Sequence, residues 1–454
     1  MTETIAEILS AYRSGAATPA DIIARSYARI HAHDDPAMFI ALRDENAVMA
    51  EAKALGDADQ SLPLYGIPVA VKDNIDVAGM PTTAACPACA YRAQTDATAV
   101  ARLRAAGALM LGKLNLDQFA TGLVGTRSPY GTPRNLFDAR LIPGGSSSGS
   151  GVAVGAGIAP LTLGTDTAGS GRVPAGFNNI VGLKPSVGLV STFGVIPACR
   201  TLDCVTVFTL TVDDAMTALK VMAAFDAADP YSRPRGINPA APSPGPMRLG
   251  VPGAGQRQFF GDKVSAAAYE AALAKLAALG GTIVEVDFEP FYETARLLYD
   301  GPWVAERYVV AKDLLNAAPE AILPVTRQII EAGRDLKTAD AFAAFYRLEE
   351  LRRIRDRVFG SIDALVVPTA PTTFTIADVL AEPVELNNRL GTYTNFVNLL
   401  DLCGLAVPAS ISANGLPFGI TLLAPGGDDA KLAALGREFH RAAGLPLGAL
   451  KPPQ

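Results

Sequence analysis

The sequence predicts an α/β fold built on a large, mainly parallel sheet covered by helices on both faces. Three observations carry this. Short, uninterrupted apolar runs such as Ile67–Val71 and Ala108–Gly112 alternate with helical patterns, as strands buried on both faces do. Apolar residues make up 49% of the 454 positions against 19% charged, ample for a large core. Length alone would allow about three domains. Only one segment has linker character, though: Asp229–Pro246, which carries Pro230, Pro234, Pro239, Pro242, Pro244 and Pro246. It reads as a surface excursion between two halves of one domain.

In chain order, Ile5–Tyr12 reads as a short helix. A second starts at Thr18, with Thr as N-cap, Pro19 at the first helical position and Asp21 in the first turn. Its Ile22, Ile23, Tyr27 and Ile30 lie near one face. Met38–Leu42 reads as a strand and Asp44–Leu55 as a helix, so residues 1–60 form an N-terminal helical layer on a core of residues 61–445. Gly66–Lys72 is a strand ending in the polar turn Asp73-Asn74. Ala97–Ala106 is a helix and Ala108–Gly112 a strand. Further strands are expected at Arg248–Val251, Thr282–Val286, Ala364–Val367 and Gly419–Leu423. Helices are expected at Val264–Leu279, Pro302–Asn316, Ala339–Val358 and Ala430–Ala443. Residues 446–454 form a Pro-rich tail that reads as a linker to a further C-terminal domain.

The charge balance excludes some functions. Net charge is −6 and basic residues are not clustered, which argues against nucleic acid or an anionic membrane as the main partner. The N-terminus lacks the basic and apolar regions of a signal peptide. The longest uncharged run, Leu141–Thr165, is rich in Ser and Gly, and its apolar part is too short to span a bilayer. Five cysteines, an odd and sparse set, fit free thiols in a reducing cytoplasm.

The chemistry concentrates in Ile142–Pro174. Two Gly-flanked serine clusters, Gly144–Ser150 and Gly164–Arg172, enclose the apolar run Val152–Leu163. Such turns can supply hydroxyls and converging backbone N–H groups, the parts of a nucleophile, a proton relay and an oxyanion hole. Flexible Gly/Ser linkers would have no reason to enclose an apolar segment. Histidine is scarce: His31, His33 and His440 all fall in peripheral helical segments. That disfavours a Ser-His-Asp triad and leaves lysine as the natural base. Lys72 follows the apolar run Ile67–Val71, which would carry it into the interior, where desolvation favours the neutral amine. The competing reading is a solvated lysine at a strand end. Ser170 sits in a turn whose Thr167, Ala168, Gly169 and Ser170 N–H groups can face one spot, with Asp166 and Arg172 as braces. Cys86 and Cys89 have CxxC spacing without a second ligand pair, so they read as structural. Pro252–Gln256 lacks the third glycine of a dinucleotide fingerprint.

These residues together resemble the amidase signature family. Lys72, the Gly144–Ser150 and Gly164–Ser170 clusters, and Gly182-Leu183-Lys184-Pro185 stand in the family's order and spacing, and the likeness runs over essentially the whole chain. The resemblance implies an α/β/α sandwich around a mixed sheet and a Ser–cis-Ser–Lys triad. Ser170 would be the nucleophile and Lys72 the base. Ser146, after a cis peptide from Gly145, would relay the proton, with Thr167, Ala168 and Gly169 as backbone oxyanion donors. Neither metal nor organic cofactor is implied. Within the family the likeness is to the allophanate-hydrolysing branch. Ala120–Gly131, with Gly122, resembles its substrate loop, and Tyr299–Tyr308 resembles the segment that recognises the substrate carboxylate. Arg307 would clamp that carboxylate with two parallel hydrogen bonds and Tyr299 would add a hydroxyl. For Arg307 alone, a helix-surface ion pair is the competing reading. The resemblance also implies a homodimer and a urea carboxylase acting in the same pathway. Three rivals stay open at this point: a broad-specificity small-amide hydrolase, the amidase component of a tRNA-dependent amidotransferase, and a non-catalytic scaffold.

Overall fold

The computed structural model describes residues 3–57, 59–237 and 247–449. Its strands are β1 (Phe39–Leu42), β2 (Pro68–Lys72), β3 (Pro81–Thr82), β4 (Tyr91–Arg92), β5 (Leu109–Leu114), β6 (Leu161–Asp166), β7 (Val181–Lys184), β8 (Cys204–Thr209), β9 (Arg248–Pro252), β10 (Thr282–Val286), β11 (Ala364–Pro368), β12 (Leu402–Ile411) and β13 (Pro417–Pro425). Among the described residues eleven of these form one sheet in the order β1-β5-β2-β6-β8-β7-β12-β13-β11-β9-β10, while β3 and β4 make a separate ribbon. The sheet is mixed, as expected. Its parallel pairings form two blocks, β5-β2-β6 and β11-β9-β10, and antiparallel strands join them through the centre.

Strand alternation assigns the two faces. Val69 and Val71 of β2 pack in one apolar cluster with Val100, Leu103, Leu219 and Phe439 from helices Thr98–Ala105, Val212–Met222 and Asp429–Ala443. Ala70 points the other way, to Ile23, Tyr27, Val48 and Val152. Both faces are therefore covered, and every residue of β2 is buried. The expected N-terminal layer is fused to this sheet, because β1 pairs antiparallel with β5 at its edge. Thr18 is the N-cap of helix Pro19–His33 as anticipated, and Asp21 caps it in return; Asp44 caps helix Glu45–Ala54.

The structure adds elements the sequence reading did not anticipate, β7, β8 and helix Val212–Met222 among them, and departs from it elsewhere too. The run Val152–Leu163 is not one apolar segment: helix Ser148–Gly155 ends inside it and β6 begins at Leu161. Helix propensity speaks against a helix with Gly149, Gly151 and Gly155. Packing overrides it, since a Cβ on Gly149 would stand 2.7 Å from the Met38 carbonyl oxygen and one on Gly155 would stand 2.6 Å from Leu136 Cδ1. Strand β12 contains Pro408, which pairs with Gly419 next to a register shift between Pro408 and Ser410. The described parts of the two linker-like segments are anchored. Arg233 and Arg235 both pair with Asp401, and Asn179 donates from Nδ2 to the carbonyls of Pro446 (2.7 Å) and Gly448 (2.9 Å). Residues 238–246 and 450–454 lie outside the described residues. No helix among the described residues is long and apolar enough to cross a membrane.

One buried ion pair fastens the end of β2 to β5: Lys113 Nζ lies 3.1 Å from Asp73 Oδ1, both side chains fully buried. Thr82 Oγ1 accepts from Lys113, and Thr83 donates to Asp73 from its amide and its hydroxyl. Lys113→Met strands the carboxylate and is expected to cost about 3–5 kcal/mol. Equilibrium urea unfolding checks this, and an unchanged midpoint would contradict it.

Candidate active site

The end of β2 delivers Lys72 into the interior. Parallel pairing sets Val71 opposite Leu163 of β6, which brings Lys72 beside Thr165. The Lys72 ammonium donates to Ser146 Oγ and to Thr165 Oγ1, each at 2.7 Å. Thr165 Oγ1 also accepts from Asn74 Nδ2 (3.3 Å), which in turn reaches the Ile196 carbonyl. The side chain is fully buried and forms no ion pair among the described residues. Burial brings its pKa down to about 7, against the pull of the more distant Asp117, Asp203 and Asp166. A lysine in this state is a usable proton acceptor.

Ser146 follows a cis peptide bond from Gly145. The glycine is obligatory: a Cβ there would stand 2.1 Å from Asp117 Oδ2 and 2.6 Å from the Gly125 amide nitrogen. The Asp117 amide donates to the Ser146 carbonyl at 3.0 Å. The neighbouring serines face away from the lysine. Ser147 and Ser150 donate to the Thr165 and Leu163 carbonyls of β6, and Ser148 to the Asn115 carbonyl. They pin the turn to the sheet.

The second turn hangs on Asp166 at the end of β6. Its carboxylate accepts Arg172 Nε (2.9 Å) and Nη2 (3.0 Å), and also the amides of Gly169 (2.8 Å) and Gly171 (3.0 Å). Burial would raise the Asp166 pKa, but Arg172 holds it below the usual value. Gly169 takes φ +125°, and Thr394 lies where its Cβ would be. Ser170 is presented by this turn, and its Oγ donates to the Gly122 carbonyl at 3.5 Å. Ser146 and Ser170 are not hydrogen-bonded to each other.

This geometry corrects one expected role. The Gly169 N–H is committed to Asp166 and is not a free oxyanion donor. The amides of Thr167, Ala168 and Ser170 hydrogen-bond to nothing among the described residues and remain available. The Thr167 hydroxyl donates to buried Asp203 at 2.5 Å, and Asp203 also accepts the Ala198 amide (2.8 Å). Burial raises the Asp203 pKa to about 6. Asp117, Thr165 and Asp203 were not singled out in the sequence. The signal available was position: Asp117 lies just past the C-terminal end of β5 and Thr165 is the penultimate residue of β6, at the strand ends where sites gather in α/β sheets.

Tyr299 and Arg307, distant in sequence, come to the same region. Arg307, on helix Val304–Ala317, is 2% exposed, which removes the surface ion-pair reading. It donates from Nη1 to Thr121 Oγ1 (2.9 Å) and the Ala120 carbonyl (3.3 Å), and from Nη2 to the Tyr299 hydroxyl (3.2 Å). Its guanidinium lies 5.2 Å from the Tyr299 ring centroid. The buried Nε has no partner among the described residues, nor does Arg307 form an ion pair with any of them. Thr121 is the neighbour of Gly122, so a cationic group with no ion pair among the described residues stands one residue from the contact made by Ser170. The histidines are elsewhere: His31 is exposed, His33 lies 3.7 Å from Asp35, and His440 is in the last turn of helix Asp429–Ala443. Cys86 and Cys89 flank a short turn, and all five cysteines carry free thiols.

Comparisons with known proteins bear on the chain as a whole. The family model described as Amidase matches residues 21–433. Urea amidolyase of Lachancea kluyveri is 46% identical over 417 residues, covering 91% of this chain and 23% of that protein. The chain thus spans under a quarter of the length of such relatives. A glutamyl-tRNA(Gln) amidotransferase component from Symbiobacterium thermophilum is 37% identical, covering 84% of this chain and 83% of that polypeptide. Among solved structures, Kluyveromyces lactis allophanate hydrolase superposes with a TM-score of 0.91 at 43% identity, covering 97% of this chain and 72% of that one. A match over this much of the chain makes this protein a member of the amidase family.

Proposed function

We propose that this chain hydrolyses the terminal amide of allophanate, releasing ammonia through an acyl-enzyme. One observation carries the choice of substrate: buried Arg307, backed by Tyr299, forms no ion pair among the described residues and stands beside the residue that Ser170 contacts. A buried cation left unpaired is costly unless an anion arrives. Allophanate is a small anion with an amide at one end and a carboxylate at the other, so it offers one group to each side of the site. The likeness to allophanate hydrolase and urea amidolyase supports the same reading.

In this mechanism neutral Lys72 takes the proton of Ser146, and Ser146 takes that of Ser170. The Ser170 oxygen adds to the amide carbon, and the amides of Thr167, Ala168 and Ser170 stabilise the oxyanion. Rotation of the Ser170 side chain away from the Gly122 carbonyl closes the gap to Ser146; catalytic contacts in a ligand-free site are often open. The relay then returns the proton to the departing nitrogen, which leaves as ammonia. Water, deprotonated by the same relay, adds to the ester carbon, and Ser170 leaves with its proton restored. The product is N-carboxycarbamate. We propose in addition a cytoplasmic location, a homodimer, and a carboxylase acting on urea as the source of substrate.

A second reading, ammonia delivery within an amidotransferase, is favoured by the 37% identity to such a component. Ammonia release from allophanate, urea, biuret, malonamate and glutamine by the purified chain separates the two, with Ser170→Ala as control. Turnover of allophanate is expected. Turnover of glutamine alone would overturn the proposal, and ammonia release unchanged in Ser170→Ala would overturn the nucleophile.

Two further outcomes are expected. Because the neutral amine is the base, kcat/KM should rise with pH through an apparent pKa near 7 and level off above it. A flat profile between pH 5.5 and 9 would contradict this; both limits are test conditions that bracket about 7. Arg307→Ala should lower kcat/KM for allophanate relative to propionamide by about 100-fold, the worth of a charge-assisted pair. An equal loss on both substrates would remove the carboxylate clamp.

A further inference from the structure

Thr121 and Gly122 form a strap between the two ends of the site. Gly122 meets Ser170 through its carbonyl, and Thr121 meets Arg307 through its hydroxyl. The strap is entered through Phe119 and Ala120, both at φ +51°, a left-handed conformation that side-chain-bearing residues avoid. Something must hold it there. The Gln118 amide donates to the Arg127 carbonyl (2.7 Å), and Asp117 Oδ1 accepts the Arg127 amide (2.9 Å). The Arg127 side chain then folds back along the strap. Nη1 donates to the Thr121 carbonyl at 2.9 Å, Nη2 donates to the Pro383 carbonyl, and Cδ lies 3.2 Å from where a Cβ on Gly122 would stand.

Arg127 is 3% exposed, forms no ion pair with the described residues, and keeps a buried Nε without a partner among them. The charge of Asp117 favours this guanidinium and that of Arg307 opposes it, so its burial without a direct ionic partner stays costly. Its contacts do have a common effect. Arg307 grips the hydroxyl of Thr121 and Arg127 grips the carbonyl, so the same residue is fixed from two sides.

We infer that Arg127 is a specificity-determining positioning residue: by clamping Thr121–Gly122 it fixes the distance between Ser170 and Arg307 and selects amides whose carboxylate is one linking atom from the amide carbon. Allophanate and malonamate have that spacing; oxamate is one atom shorter and succinamate one atom longer. The inference rests on the hydrolase reading above.

The test is a steady-state series on oxamate, malonamate, succinamate and propionamide with the intact chain and with Arg127→Lys, Arg127→Met and Thr121→Val. In the unaltered protein kcat/KM is highest for malonamate. Arg127→Met reduces that preference about 10-fold or more, chiefly through KM, and Arg127→Lys, which keeps the charge but not the two-donor fork, falls between. Thr121→Val flattens the preference with both arginines in place, and with Arg127→Lys it decides the matter if Arg127→Met does not fold. Equal losses on all four substrates, with the length preference intact, overturn the inference alone. No turnover of any carboxylate by the unaltered chain overturns the substrate reading and this inference with it.

Discussion

The structure depends on keeping one buried lysine free of a carboxylate partner. Lys72 touches the hydroxyls of Ser146 and Thr165 and no acid among the described residues. Three aspartates lie near enough to act on its charge, and each is committed elsewhere. Asp166 is held by Arg172, Asp117 by the amides of Gly125 and Arg127, and Asp203 by Thr167 and Ala198. A direct pair would stabilise the ammonium and raise its pKa. Distant acids pull in the same direction more weakly, and burial wins, leaving the amine near neutrality.

The same three aspartates shape the loops around the lysine. Asp166 folds the turn that presents Ser170, Asp117 packs against the Gly145–Ser146 peptide, and Asp203 holds the Thr167 hydroxyl. Each carboxylate therefore has an electrostatic and a geometric effect, and removing one would move a loop as well as a pKa. The glycines around them leave no room for side chains: a Cβ on Gly145 or Gly182 would stand 2.1 or 2.3 Å from its nearest neighbour. This close packing is what lets short polar side chains set backbone positions in the interior.

Much of this was legible in the sequence, for identifiable reasons. The apolar run Ile67–Val71 reads as a buried strand and carries Lys72 with it. Thr18-Pro19-Ala20-Asp21 spells a helix start, and three peripheral histidines disfavour the commoner triad. The helix at Ser148–Gly155 was hidden because its glycines are there for tertiary contact, which local propensity does not encode. The commitment of the Gly169 amide to Asp166 was hidden too: a run of N–H groups in a turn does not say which is already bonded. Arg127 has no role of its own in the sequence reading beyond its place in the substrate-loop segment Ala120–Gly131, and Asp117 has none; the fold buries both against Gly122.

The most direct measurement is the titration of Lys72 itself, by NMR of protein labelled with [ε-13C]lysine, with the signal assigned from its loss in Lys72→Ala. One lysine titrating near pH 7, and absent from that variant, is the expected result. A Lys72 signal that titrates near the ordinary lysine value, about 10.4, would contradict the neutral base on which the proposed mechanism stands.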